Sequence, residues 1–97
     1  MIRHVVVFRW NDSVTDADLA AIAAGLDALP SSIAEIVDYR HGPDLGLNPA
    51  NSQYAIVADF ASADDFATYR DHPEHQRFIA DHITGKVADR AAVQFEY

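Results

Sequence analysis

Residues 2–10, IRHVVVFRW, alternate with period two, yet neither side of the alternation is polar throughout. Ile2, His4, Val6, Phe8 and Trp10 share one side, and Arg3, Val5, Val7 and Arg9 share the other. β-Branched and aromatic residues in this pattern specify a strand. With valines on its second side, that strand needs apolar cover on both.

The rest of the chain supplies cover for one side only. Asn11-Asp12-Ser13 breaks the strand. Thr15 stands where a helix cap belongs, with Asp16 and Asp18 in the favourable first turn. Leu19, Ile22, Leu26 and Leu29 follow at helical spacing, and Pro30 is expected to end that helix. A second strand is predicted over Ile33–His41, then a polar loop over 42–51 with two prolines and two glycines. The third strand is predicted over Tyr54–Phe60. Ser62-Ala63-Asp64-Asp65 opens a second helix carrying Phe66 and Tyr69. Asp71-His72-Pro73 interrupts it, and Pro73 suits the first turn of a further short helix that Gly85 can stop. The last strand is predicted over Ala91–Tyr97.

The order strand, helix, strand, strand, helix, strand is the split βαβ, ferredoxin-like arrangement, an α+β fold in one domain over residues 1–97. Its four-stranded antiparallel sheet carries helices on one face. The helix-free face is expected to hold Val5, Val7, Ala55, Val57 and Ala92, too apolar to stay wet. Packing two such faces about a two-fold axis predicts a homodimer. Size points the same way, since a chain of 97 residues buries only about two-thirds of its unfolded surface.

Charge and composition exclude several function classes. Asp plus Glu is 15 against 7 Lys plus Arg, a net charge of −8 that disfavours nucleic acid and anionic lipid surfaces. No apolar run comes near the roughly 20 residues of a membrane span. With no Cys there is no disulfide scaffold, thiolate metal site or Cys nucleophile. The N-terminal residues lack a signal-peptide layout, so the cytoplasm is the expected location. GxGxxG, GK[ST] and GxSxG patterns are all absent, so no nucleotide cradle or serine elbow is expected.

Five histidines are the most informative polar feature. His4 lies on the apolar side of the first strand, either as a hydrogen-bonded core group or as the lining of a pocket. In Tyr69-Arg70-Asp71-His72-Pro73-Glu74-His75, His75 falls in the first turn of a helix, whose positive end keeps an imidazole neutral. A neutral imidazole can take a proton from a carbon acid, and Tyr69 could orient it or bind a substrate carbonyl. His72 reads as part of the helix junction. A metal site on His72 and His75 lacks an accompanying ligand pattern, so none is expected. His82 reads as solvated, and His41 has no assigned role.

The opening Ile2-Arg3-His4 with Val6-Val7-Phe8, the segment Tyr54–Phe60 followed by Ser62, the string Tyr69-x-x-His72-Pro73-x-His75-x-x-Phe78 and the closing Val93-Gln94-Phe95-Glu96 together resemble the stress-responsive α/β-barrel (Dabb) family. The likeness spans essentially the whole chain. It implies a ferredoxin-like fold that dimerises through its sheets into an α+β barrel. One plant type within the family, the olivetolic acid cyclases, performs an aldol cyclisation of a linear polyketide without cofactor or metal. By that resemblance His75 corresponds to the catalytic His, Tyr69 to its partner Tyr, and His4 to a first-strand His. Tyr54 stands where those cyclases carry a pocket His, and their first-helix pocket Tyr falls near Leu26.

The functional expectation is a cofactor-free acid–base enzyme of cyclase or isomerase type. His75 would be the base and Tyr69 its orienting group. His4 and Tyr54 would hold substrate oxygens, and Phe8, Ile56 and Phe66 would line the site for a small apolar carbonyl compound. The alternatives are a non-catalytic dimeric binding or stress-associated protein and, by fold analogy, a cofactor-free monooxygenase.

Overall fold

Helix α1 (Asp16–Ser32) starts at a reciprocal cap. The Thr15 hydroxyl accepts from the Asp18 amide at 3.2 Å, and the Asp18 carboxylate accepts from the Thr15 amide at 3.0 Å. Lys86 pairs with the same carboxylate at 3.2 Å, tying the helix start to the turn before the last strand. The computed structural model describes all residues, 1–97. The other elements are β1 (Ile2–Trp10), β2 (Asp38–Pro43), β3 (Tyr54–Phe60), α2 (Ala63–Asp71), α3 (Pro73–Phe78), a π-helical turn over Ile79–Ile83, and β4 (Val87–Glu96). One antiparallel sheet joins the strands in the order β2-β3-β1-β4. This is the ferredoxin-like fold expected from the element order. No helix is long and apolar enough to cross a membrane.

Four boundaries and one placement differ from expectation. Helix α1 runs through Pro30 to Ser32. A proline in the last turn forfeits a single backbone bond, and the Ile33 amide still reaches the Leu29 carbonyl at 3.0 Å. Ile33 is therefore a fully buried helix cap, not the start of a strand. Residues 34–37 turn, and β2 begins only at Asp38 and runs to Pro43, two residues into the expected loop, because Gly42 and Pro43 still pair with Ala55 and Tyr54. The last strand starts at Val87, just past Gly85, whose φ of 82° makes the turn.

The placement concerns Ala92. Residues directly opposed in an antiparallel pair project to the same side. Ala92 is opposite Val6, and Val6 is buried under the helices. Ala92 therefore belongs to the helix side, and the helix-free side of β4 carries Ala91, Val93 and Phe95, opposite Val7, Val5 and Arg3. Val93 and Phe95 are exposed together with Tyr97. At the centre of this face Val5 is flanked by Val57 and Val93. At its end the Arg3 guanidinium grips the buried Asp59 carboxylate with two bonds of 2.8 and 2.9 Å and lies over the Tyr97 ring.

The core fills the other side. Val6, Phe8, Ile56, Ala58 and Phe60 from the sheet meet Ile22, Leu26, Leu29, Ile33, Tyr69 and Phe78 from the helical layer. Both layers arise from their own periodicities, two along the strands and three or four along the helices.

Candidate active site

The helical layer does not fill the space above β1 completely. A hollow of about 170 Å³ remains between the sheet and the segment from α2 to the π-helical turn. Phe8, Val6 and Ile56 form its floor, Leu26 and Phe78 its helical wall, and Tyr69, His75 and His4 border it. It opens into a wider mouth where Phe66, Arg90 and Gln94 join His4, Tyr69 and His75.

Local sequence places each imidazole. His72 caps α3, its Nδ1 accepting from the Glu74 amide at 3.1 Å, and Pro73 occupies the first helical position. The turn so formed brings His75 back against the end of α2. There the His75 Nδ1–H donates to the Arg70 carbonyl at 3.0 Å. In the neutral ring the proton therefore sits on Nδ1 and the lone pair on Nε2. Burial lowers the His75 pKa below its ordinary 6.5, with His72 and Arg90 acting in the same direction and the Arg70 carbonyl and Asp71 opposing.

His4 is the mirror case. Its Nδ1 accepts from the Gln94 side-chain amide at 2.9 Å, so the proton sits on Nε2. Its ring is buried, and burial lowers its pKa to about 4. No buried side-chain nitrogen or oxygen lacks a partner, so the two Nε2 atoms, which have none, face open space. One presents a lone pair and the other an N–H.

Tyr69 is buried, and its ring lies against His75 with centroids 4.2 Å apart. Its hydroxyl is taken up by Tyr39, 2.8 Å away, which also lines the hollow. Burial raises the pKa of both phenols. Tyr69 thus braces the imidazole through its ring, while the Arg70 carbonyl fixes the tautomer.

Of the residues singled out from sequence, His75, Tyr69, His4, Phe8, Ile56 and Phe66 meet around the hollow and its mouth. Tyr54 does not. Its hydroxyl binds His41 Nδ1 at 2.7 Å, and the other His41 nitrogen binds Asp27 at 2.6 Å. This chain pins α1 to β2 beyond the Phe8 end of the hollow and gives His41 a structural part. His82 packs against Phe78. No group of three or more His, Cys, Asp or Glu side chains is arranged to hold a metal ion. Tyr39, Gln94 and Arg90 were not foreseen. Tyr39 follows from strand alternation once β2 is correctly started, whereas Gln94 and Arg90 need the β1–β4 register.

A dimeric ferredoxin-like protein from Thermobifida fusca is 44% identical and superposes with a TM-score of 0.92, covering 99% of this chain and 90% of that one. An uncharacterized protein of Streptomyces coelicolor is 32% identical over 83 residues, 82% of this chain and 84% of that protein. The hydroxynitrile lyase of Passiflora edulis shares the fold, with 21% identity, a TM-score of 0.84 and coverage of 97% and 90%. The stress responsive A/B barrel domain matches residues 2–97, and the chain belongs to that family, Dabb.

Proposed function

We propose that this protein is a cofactor-free acid–base enzyme of cyclase or isomerase type, acting on a small apolar oxo compound with His75 as the general base. The observation that carries this reading is that the buried His4 and the half-buried His75 line one apolar hollow, each with its Nδ1 engaged and its Nε2 unpartnered. His75 Nε2 takes a proton from the carbon next to the substrate carbonyl. The C–H electron pair moves into the carbonyl, and the charge that develops on its oxygen is met by the His4 Nε2–H. The proton then returns from His75 to carbon, or to an alkoxide oxygen if a new carbon–carbon bond has formed. Phe8, Ile56 and Phe66 exclude water from the reacting carbon, and Tyr69 holds the imidazole plane.

The protein acts as a homodimer in this reading. The Val5, Val57, Val93 and Phe95 face packs on its equivalent in a second copy, as two-fold association of an exposed apolar sheet face requires. The dimeric state of the Thermobifida fusca relative supports it.

The test is solvent-deuterium exchange at carbons next to the carbonyl in a panel of small ketones, neutral and acidic. Exchange should fall by about 10²–10⁴ in His75→Ala, the usual worth of a positioned base. Its acid limb should have a midpoint below 6.5, the ordinary imidazole value, because burial lowers the His75 pKa. A bound ketone whose protons exchange no faster than in buffer would return the chain to the binding-protein reading.

A further inference from the structure

Six of the seven cationic side chains are occupied. Arg3, Arg40, Arg70, Arg77 and Lys86 each pair with a carboxylate. Arg9 binds the Ala50 carbonyl. Arg90 alone has no side-chain partner, in a chain that carries 15 acidic residues. Its position is fixed by register. Arg90 is opposite Phe8, Ala92 opposite Val6 and Gln94 opposite His4, so all three face the helix side. Arg90, exposed on the edge strand, borders both the hollow and its mouth. Its neighbour Asp89 turns its carboxylate to the Arg90 backbone amide and leaves the side chain alone. The imidazoles beside it are neutral, so this is the one full charge at the site not already paired. Arg70, also at the mouth, is held by Asp71 at 3.0 Å.

A free guanidinium over an apolar hollow recognises a planar anion by two parallel N–H bonds. We propose that the natural ligand is an oxo acid, with its carboxylate on Arg90 at the mouth and its apolar part against Phe8, Leu26 and Ile56. This deepens the reading of His75 as a base and rests on it. It narrows the substrate class from apolar carbonyl compounds to those with one carboxylate. It also orients them, since a carboxylate on β4 directs the rest of the molecule inward between His4 and His75.

Two acid–ester pairs test it on the full chain: phenylpyruvate and levulinate, each against its methyl ester. Affinity is read by calorimetry and by NMR shifts of the His4 and His75 ring protons. The acids should bind about tenfold or more tightly than the esters, as a charge-assisted pair adds. Raising salt should weaken the acids and spare the esters. Arg90→Gln should abolish the preference, and Arg90→Lys should keep part of it. The salt arm uses the unaltered protein, so it stands even if a variant folds poorly. Esters binding as well as acids, or no acid binding at millimolar concentration, overturns the proposal. So does an Arg90→Gln protein that dissociates into monomers while keeping its preference for acids, because Arg90 would then be an interface residue. Deuterium exchange on the same ligands separates the two readings. Arg90-dependent acid binding without His75-dependent exchange removes the base and keeps the anion site. His75-dependent exchange on esters that bind as tightly as the acids does the reverse.

Discussion

His4 makes the protein's stability depend on pH in a window where few other groups act. Its imidazole is buried, and its pKa falls from 6.5 to about 4 on folding. Between these values the unfolded chain binds the proton and the folded chain does not. Stability therefore declines as the pH is lowered through this range; above 6.5 neither state is protonated and below 4 both are. At 1.36 kcal/mol for each tenfold step, the full difference is about 3 kcal/mol. About 2 kcal/mol of it is lost between pH 7 and pH 5. For a domain of this size that is a fall in Tm of roughly 10 °C. His75, also lowered, adds to it with the same sign. The carboxylates held low by their partners, Asp18, Asp59 and Asp71, start from 3.8 and lose their contribution at more acid pH. The assay is thermal melting at fixed protein concentration, at pH 7 and pH 5, for wild type and His4→Gln. The glutamine can still accept from Gln94 but has nothing to titrate. Wild type should lose about 2 kcal/mol more than the variant over this interval. Equal losses, or a His4 ring proton that titrates near 6.5 by NMR, would refute the burial argument and with it the neutral His4 on which the proposed hydrogen bond to substrate depends.

Three other outcomes follow from the packing. Val57→Lys places a charge at the centre of the helix-free face and should give monomers or aggregates by analytical ultracentrifugation; an unchanged dimer would put the interface elsewhere. Gly25→Ala sets a methyl group 2.6 Å from Phe78 Cε1. The clash outweighs the helix-propensity gain of about 1 kcal/mol, so the variant should melt about 4–8 °C lower and bind ligands more weakly as the Phe78 ring shifts into the hollow. A higher Tm would show that α1 and α3 separate freely. Tyr39→Phe leaves the buried Tyr69 hydroxyl without its partner and should cost about 1–2 kcal/mol in urea unfolding; no change would mean that Tyr69 finds water from the hollow.

How far the sequence reaches can be read from two strands. β3 was legible to the residue because it is an inner strand with one side buried in the chain's own core: Tyr54, Ile56, Ala58 and Phe60 lie under the helices, and Ala55 and Val57 on the free face. β4 was not. It is an edge strand, exposed along nearly its whole length in the single chain, so intrachain burial does not impose the alternation that marks a half-buried strand. Ala92 has no side chain large enough to declare a face, and only its pairing with Val6 assigns one. The same gap hid half of the site. His4 and His75 carry their chemistry in their residue type and could be picked from the chain alone. Gln94, which sets the His4 tautomer, and Arg90, the unpaired cation, are ordinary surface residue types until register sets them opposite His4 and Phe8. The beginning of β2 failed for a related reason. Ile33, Ile36 and Val37 are apolar like a strand but spaced like a turn, and tertiary burial of Ile33 at the end of α1 decided between the two. Local pattern thus locates the imidazoles, whereas the groups that tune and orient them come from pairings distant in sequence, as the 90-residue separation of His4 and Gln94 illustrates.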